Sequence, residues 1–241
     1  MDAVVLRRRD TGESDRRLTL LSRQEGKMDV SAKGARKGAS RLAAFSEALT
    51  VARFTFASGR QRRFVTQVEP LPGFRGLRTD FDRLQAALAM VELVDSVLPY
   101  EQPDEDCFDL VLSALGHLET HPKVLVAYVW VQLKLLTVSG FLPLFMECAV
   151  SGEPLREAVA WYSPDAGGYV TPVHSPRFAD ARQVAAEVLI GLGKMAELDA
   201  PPSNLRRCEE AEAVLLATWR HVLATPLPAN AAVAASGRPL A

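Results

Sequence analysis

Lysine and arginine recur in four groups in the first third of the chain: Arg7–Arg9, Arg16 with Arg17, Lys33 to Arg41, and Arg60 to Arg63. Grouped cations of this kind suit phosphate, because a backbone contact needs positive charge and close approach but no base identity. The third group lies in SAKGARKGAS (31–40), where Gly34 and Gly38 let the main chain come close to an anion. The decapeptide has no large apolar side chain to act as an anchor and no acid. It is therefore expected to add nothing to a core and to serve as a phosphate-tracking loop. The candidate contacts are Arg8, Arg16, Arg17, Lys33, Arg36, Lys37, Arg41, Arg62 and Arg63.

Other chemistry is poorly represented. No G-x-S-x-G or H-E-x-x-H occurs, and GARKGAS (34–40) lacks the lysine that a P-loop places after its final glycine. His117 and His121 stand one helical turn apart, a spacing that can hold a metal. Pro122 follows at once and no third ligand is in view, so the pair is read as a helix end, where imidazole suits the dipole. No catalytic residue and no cofactor is expected.

The charge is divided along the chain. Its net value of −1 hides 17 Lys/Arg against 8 Asp/Glu in residues 1–78, whereas the remainder has 11 against 21. One end suits a polyanion and the other suits a different partner. Apolar content of 48% and charged content of 24% are those of a globular protein. MDAVVLRRR places its apolar run before its charges, the reverse of a secretion signal. The segment VLVAYVWVQLKLLTV (124–138) is too short to cross a bilayer and belongs at the centre of a helical bundle. Three widely spaced cysteines suit a reducing cytoplasm.

The elements that must position the cations are strands. Runs at 3–9, 17–22, 26–33, 45–56 and 64–71 alternate or are rich in Val, Thr and Phe, and short turns link them. Five strands in this length fit a small barrel, of either the OB or the SH3-like kind. Phe54, Phe56 and Phe64 are read as core residues of that barrel, with base stacking as the alternative. PLPGFRGLR (70–78) marks a boundary, after which the period becomes helical. Phe81, Leu84, Leu88, Val91, Val94 and Leu98 form a stripe, with Thr79 as the expected N-cap. Further helices are expected near 108–118, 124–138, 177–198 and 204–224, and residues 225–241 are expected to be disordered.

GESDRRLTLLSRQEGKMDVSAKGARKGAS (12–40) resembles the N-terminal signature of the RecO family of recombination mediators. VQLKLLTVSGFLP (131–143), then a cysteine-bearing module and SPDAGGYV (163–170), repeat that family's order, so the resemblance covers nearly the whole chain. It implies an α+β protein. An OB-fold barrel (1–72) would precede an α-helical domain (78–144 and 177–224) that carries a small zinc-ribbon-like insertion (145–176). It further implies a cytoplasmic, nucleoid-associated DNA-repair protein that is not an enzyme. Such a protein binds single- and double-stranded DNA, anneals complementary strands and acts with RecR. Together they help RecA displace the single-stranded-DNA-binding protein, and no membrane is involved. The family's basic loop falls on Lys33, Arg36, Lys37 and Arg41. Zinc-bearing members have two C-x-x-C pairs, whereas this chain has Cys148 with Ser151 and Thr171 with His174, so no zinc is expected. Trp161, Tyr162, Tyr169 and Val170 would then hold the insertion by packing. The alternative function is an RNA-binding or ribosome-associated OB protein, which competition between matched DNA and RNA strands would distinguish.

Overall fold

The computed structural model describes residues 1–38, 40–59 and 62–236; Arg60 and the last five residues lie outside the described residues. The chain forms two compact units, Met1–Glu119 and Thr120–Ala241.

In the first unit, β1 (Asp2–Thr11), β2 (Asp15–Ser22), β3 (Gly26–Ala32), β4 (Val51–Ser58) and β5 (Arg63–Pro70) close into a barrel. The strand order is β1-β2-β3-β5-β4, with β3 and β5 parallel and the other neighbours antiparallel. This five-stranded closure is that of the OB-fold and settles the choice against an SH3-like barrel. Period-two alternation sends Leu18, Leu20, Met28, Val30, Phe54 and Val65 into the core. Burying each large apolar side chain here contributes about 2 kcal/mol.

The strand expected over 45–56 begins later. Arg41–Phe45 form a short helix, α1, and β4 starts at Val51. The SAKGARKGAS segment also departs from expectation, since Ala32 and Ala35 are buried in the barrel core. Ala32 and Ala35 turn inward while the long side chains of Lys33, Arg36 and Lys37 stay exposed.

The same unit contains α2 (Phe81–Val97) and α3 (Glu105–Thr120). Asp80 caps α2 by accepting from the Arg83 N–H at 3.0 Å, one residue beyond the expected Thr79. The buried face of α2 runs from Ala86 to Val94, while Phe81 is 75% exposed, so the stripe does not extend to the first turn.

The second unit is built on α4 (Val124–Val138), which is buried on nearly every side as its uniform apolarity requires. α5 (Ala186–Ala196) and α6 (Cys208–Leu223) pack around it. A three-stranded sheet, β7-β6-β8, joins β6 (Val159–Ser163) and β7 (Gly168–Val170) of the insertion to β8 (Arg182–Ala185) beyond it. The fourth expected helix therefore starts at Ala186 rather than near 177, because 182–185 pair in register with β6. Tyr162, Tyr169 and Val170 are buried as expected, and Trp161 is half-buried.

The tail also departs from expectation over part of its length. Pro228–Ser236, expected to be disordered, form a helix, α7. Leu227 and Val233 are buried, and the buried Asn230 side chain accepts a hydrogen bond from the Tyr128 hydroxyl. The small apolar residues that suggested disorder suit close packing, and one asparagine anchors them. Among the described residues no helix is long and apolar enough to cross a membrane.

Candidate nucleic-acid interface

Strand register decides which cations share a face. Arg9 lies opposite Arg17, Arg17 opposite Ser31, and Ser31 opposite Phe64. Cross-strand partners point the same way, and the residues that alternate with this row, Leu18, Val30 and Val65, fill the core. The row therefore faces outward over β1, β2, β3 and β5. The Lys33 ammonium stands 4.4 Å from the centroid of the Phe64 ring. Phe54 is buried and Phe56 partly buried, with their rings stacked at 6.2 Å, as the core reading expects. Phe64 does not belong to that core, and only part of it is covered.

One end of this face deepens into a groove of about 470 Å³ lined by Arg17, Arg62, Arg63, Ser31, Ser58 and Tyr100. Two carboxylates, Asp29 and Glu101, share its walls. Asp29 is already engaged, by the Arg17 guanidinium at 2.9 Å and by the Thr19 hydroxyl at 2.8 Å. Arg63 is ion-paired with Glu25. Arg62 is exposed and has no ion-pair partner among the described residues.

The basic loop is held rigidly. The Gly34 N–H donates to Asp15 Oδ1 at 2.8 Å, and the Arg36 N–H donates to the Ser14 carbonyl at 2.9 Å. Two further main-chain bonds run from Lys37 N–H to the Gly34 carbonyl and from Ser40 N–H to the Lys37 carbonyl. Gly34 sits at φ +67°, where a side chain would be strained. The Gly34 N–H and the neighbouring lysines hold the Asp15 carboxyl below its usual range, the N–H being the larger influence.

The candidate cations fall into two kinds. Arg16 is largely buried and donates to Ser46 Oγ at 2.5 Å and Glu47 Oε1 at 3.0 Å, so it fastens α1 to the barrel. Arg8 pairs with Glu47 at 2.9 Å, and Arg36 pairs with Asp10 at 3.3 Å while donating to the Gly12 carbonyl at 3.0 Å. Asp10 and Glu47 thus occupy three of the nine. Lys33, Lys37, Arg41 and Arg62 are exposed with no carboxylate partner among the described residues, and Arg9 joins them. Tyr100, in the α2–α3 link, is the groove residue that the sequence did not flag; nothing local in LeuProTyrGluGln marks it.

In the second unit the four positions of the expected degenerate ribbon meet. The Thr171 N–H donates to Cys148 Sγ at 3.4 Å, Thr171 Oγ1 lies 2.9 Å from His174 Nδ1, and that nitrogen is 3.8 Å from Cys148 Sγ. Burial pushes the Cys148 thiol up. Hydrogen bonds from the Ser151 hydroxyl and from the N–H groups of Ser151, Thr171 and Val150 outweigh burial and bring it down to about 6. The His121 ring nitrogens meet the backbone of Lys123 and Pro202, which accords with its reading as a residue at a helix end.

A family model described as the recombination protein O N terminus matches residues 1–74, and one described as its C terminus matches residues 78–230. The chain belongs to the recombination protein O family. Relatives named DNA repair protein RecO include one from Desulfitobacterium hafniense, 41% identical over 169 residues. That match covers 70% of this chain and 62% of the relative, so it spans under two thirds of the relative's length. One from Heliobacterium modesticaldum is 37% identical over 226 residues, covering 92% of this chain and 80% of the relative. Another, from Bifidobacterium adolescentis, is 31% identical over 239 residues, covering 94% and 95%. For this RecO-family chain the residues at the ribbon positions do not fit zinc. Ser151 and Thr171 present hydroxyl oxygens in place of thiolates, and the Thr171 oxygen is directed at His174. Among the described residues no group of three or more His, Cys, Asp or Glu could hold a metal ion.

Proposed function

We propose that this chain is a recombination mediator of DNA repair that grips the backbone of single- and double-stranded DNA with the outer face of its barrel. The observation that carries this reading is the shared outward row of Arg9, Arg17, Ser31 and Phe64, continued by Lys33 and the arginine groove. Such a face meets phosphates without sequence preference. Nine cations, including Arg8, Arg16, Arg17, Lys33 and Arg36, were candidates. The grip is assigned first to those that carry no carboxylate among the described residues, Lys33, Lys37, Arg41 and Arg62 with Arg9, and then to Arg17 and Arg63. Arg8 and Arg36 can contribute only by leaving Asp10 and Glu47, and Arg16 serves the fold.

Family membership supports the rest of the reading. The protein anneals complementary strands as a mediator without catalytic chemistry of its own, in the cytoplasm at the nucleoid. It acts with RecR and the single-stranded-DNA-binding protein to help load RecA. An annealing assay on complementary strands coated with single-stranded-DNA-binding protein tests this directly. Added protein should speed annealing, and RecR should alter that rate; a rate equal to the protein-free control would refute the proposal.

A further inference from the structure

We propose that Tyr100 is a nucleobase platform in the arginine groove, which makes the groove a subsite for an unpaired nucleotide. The inference rests on the reading of the barrel as a DNA grip. Tyr100 comes from the link between α2 and α3, yet it lines the groove opposite residues of β2, β3 and β5. Three contacts fix it there. The Glu101 N–H donates to the Lys27 carbonyl at 2.8 Å, Lys27 pairs with Tyr100 as a parallel bridge, and the Lys27 ammonium stands 4.3 Å from the centroid of the ring. Lys27 is itself buried and donates to the Asp95 carbonyl at 2.5 Å, so the cation behind the ring cannot swing away. Gly26 allows the approach: a Cβ there would lie 2.0 Å from the Gln102 carbonyl oxygen, and the residue sits at φ +66°.

The ring is therefore immobilised at low entropic cost, while 43% of Tyr100 remains exposed. An exposed aromatic beside three arginines and two serine hydroxyls is what a splayed base and its phosphate require. A base inside a duplex is stacked and paired and cannot reach the ring. The subsite consequently confers preference for single strands, which cations alone do not. Glu101, in the same wall, limits the groove to few phosphates and leaves room for a base between them.

Fluorescence anisotropy would use three labelled probes of equal length: oligo-dT, the same strand with abasic positions, and a duplex. Tyr100→Ala should weaken oligo-dT binding between about fivefold and about a hundredfold, the range expected for one stacked base. Abasic and duplex binding should stay within twofold of wild type, and Tyr100→Phe should restore oligo-dT binding. Equal losses on oligo-dT and abasic strands, or no loss on either, would overturn the platform. Arg62→Glu is the control for the underlying reading, since it should weaken all three probes. If Arg62→Glu weakens them while Tyr100→Ala does not discriminate, only the platform fails. If the wild-type protein binds no probe, or Arg62→Glu has no effect, the DNA grip fails and takes the platform with it.

Discussion

Arg16 and Arg17 are adjacent in sequence and have opposite fates. Alternation along β2 turns Arg16 toward α1, where Ser46, Glu47 and the Ala43 carbonyl accept its protons at 2.5, 3.0 and 3.4 Å. Arg17 faces outward over the sheet, in the row with Arg9, Ser31 and Phe64. The same division runs through the barrel: Asp10 and Glu47 gather Arg8, Arg16 and Arg36, while Lys33, Lys37, Arg41 and Arg62 keep their charge open among the described residues. A count of cations thus overstates the footprint. The surface available to a polyanion is the part whose charge no carboxylate has already met.

The contrast can be broken most forcefully at Arg16. Arg16→Ala removes a largely buried guanidinium and takes that donor from Ser46 Oγ and Glu47 Oε1, leaving Glu47 only its Arg8 pair among the described residues, which should lower stability by about 2 kcal/mol. Urea denaturation measures this. Arg17→Ala, with an exposed guanidinium paired only to Asp29, should change stability by less than about 0.5 kcal/mol. Equal destabilisation by the two variants would show that the division is not real.

A smaller effect sharpens the lesson that surroundings set the state of a residue type. Burial pushes the Cys107 thiol up to about 11, whereas Cys148 is brought down to about 6 by its hydrogen-bond donors. Cys148 binds fewer protons folded than unfolded between pH 6 and the ordinary thiol value of 9.0. Its contribution is fully present above pH 9 and is lost as the pH falls through 6. Cys107 has the opposite sign: its contribution is present below pH 9 and is lost as the pH rises through about 11. A pH titration of thiolate absorbance should show a step near 6 in the wild-type protein that is missing in Cys148→Ser. A wild-type titration with no step below pH 8 would contradict the thiolate assignment.

Much of this was legible in the residues. The period of two in β2 and β3 defines the barrel wall, and the uniform apolarity of 124–138 defines the central helix of the second unit. What the sequence hid is long-range. The sequence separation of 31 between Arg16 and Glu47 conceals their pairing, and Tyr100 reaches a groove formed by strands that end far before it. Ala35 has no size to announce a core position, yet it is fully buried in the barrel core. The α7 helix was obscured for a related reason: its composition is that of a linker, and its anchors are the buried Leu227 and Val233 and a hydrogen bond to Asn230 from Tyr128 of the distant α4. β8 was concealed because Arg182–Ala185 become a strand only through pairing with β6.

The most direct test of the account is the salt dependence of oligo-dT binding in two double variants. Lys37→Ala with Arg62→Ala removes open charges and should flatten the log–log slope by about 1.4, since each single-strand phosphate contact contributes about 0.7. Arg8→Ala with Arg36→Ala removes charges already met by Asp10 and Glu47 and should leave the slope within about 0.5 of wild type. A slope that falls as much in the second variant as in the first would mean that the paired arginines grip DNA too, and the distinction between open and occupied charge would be wrong.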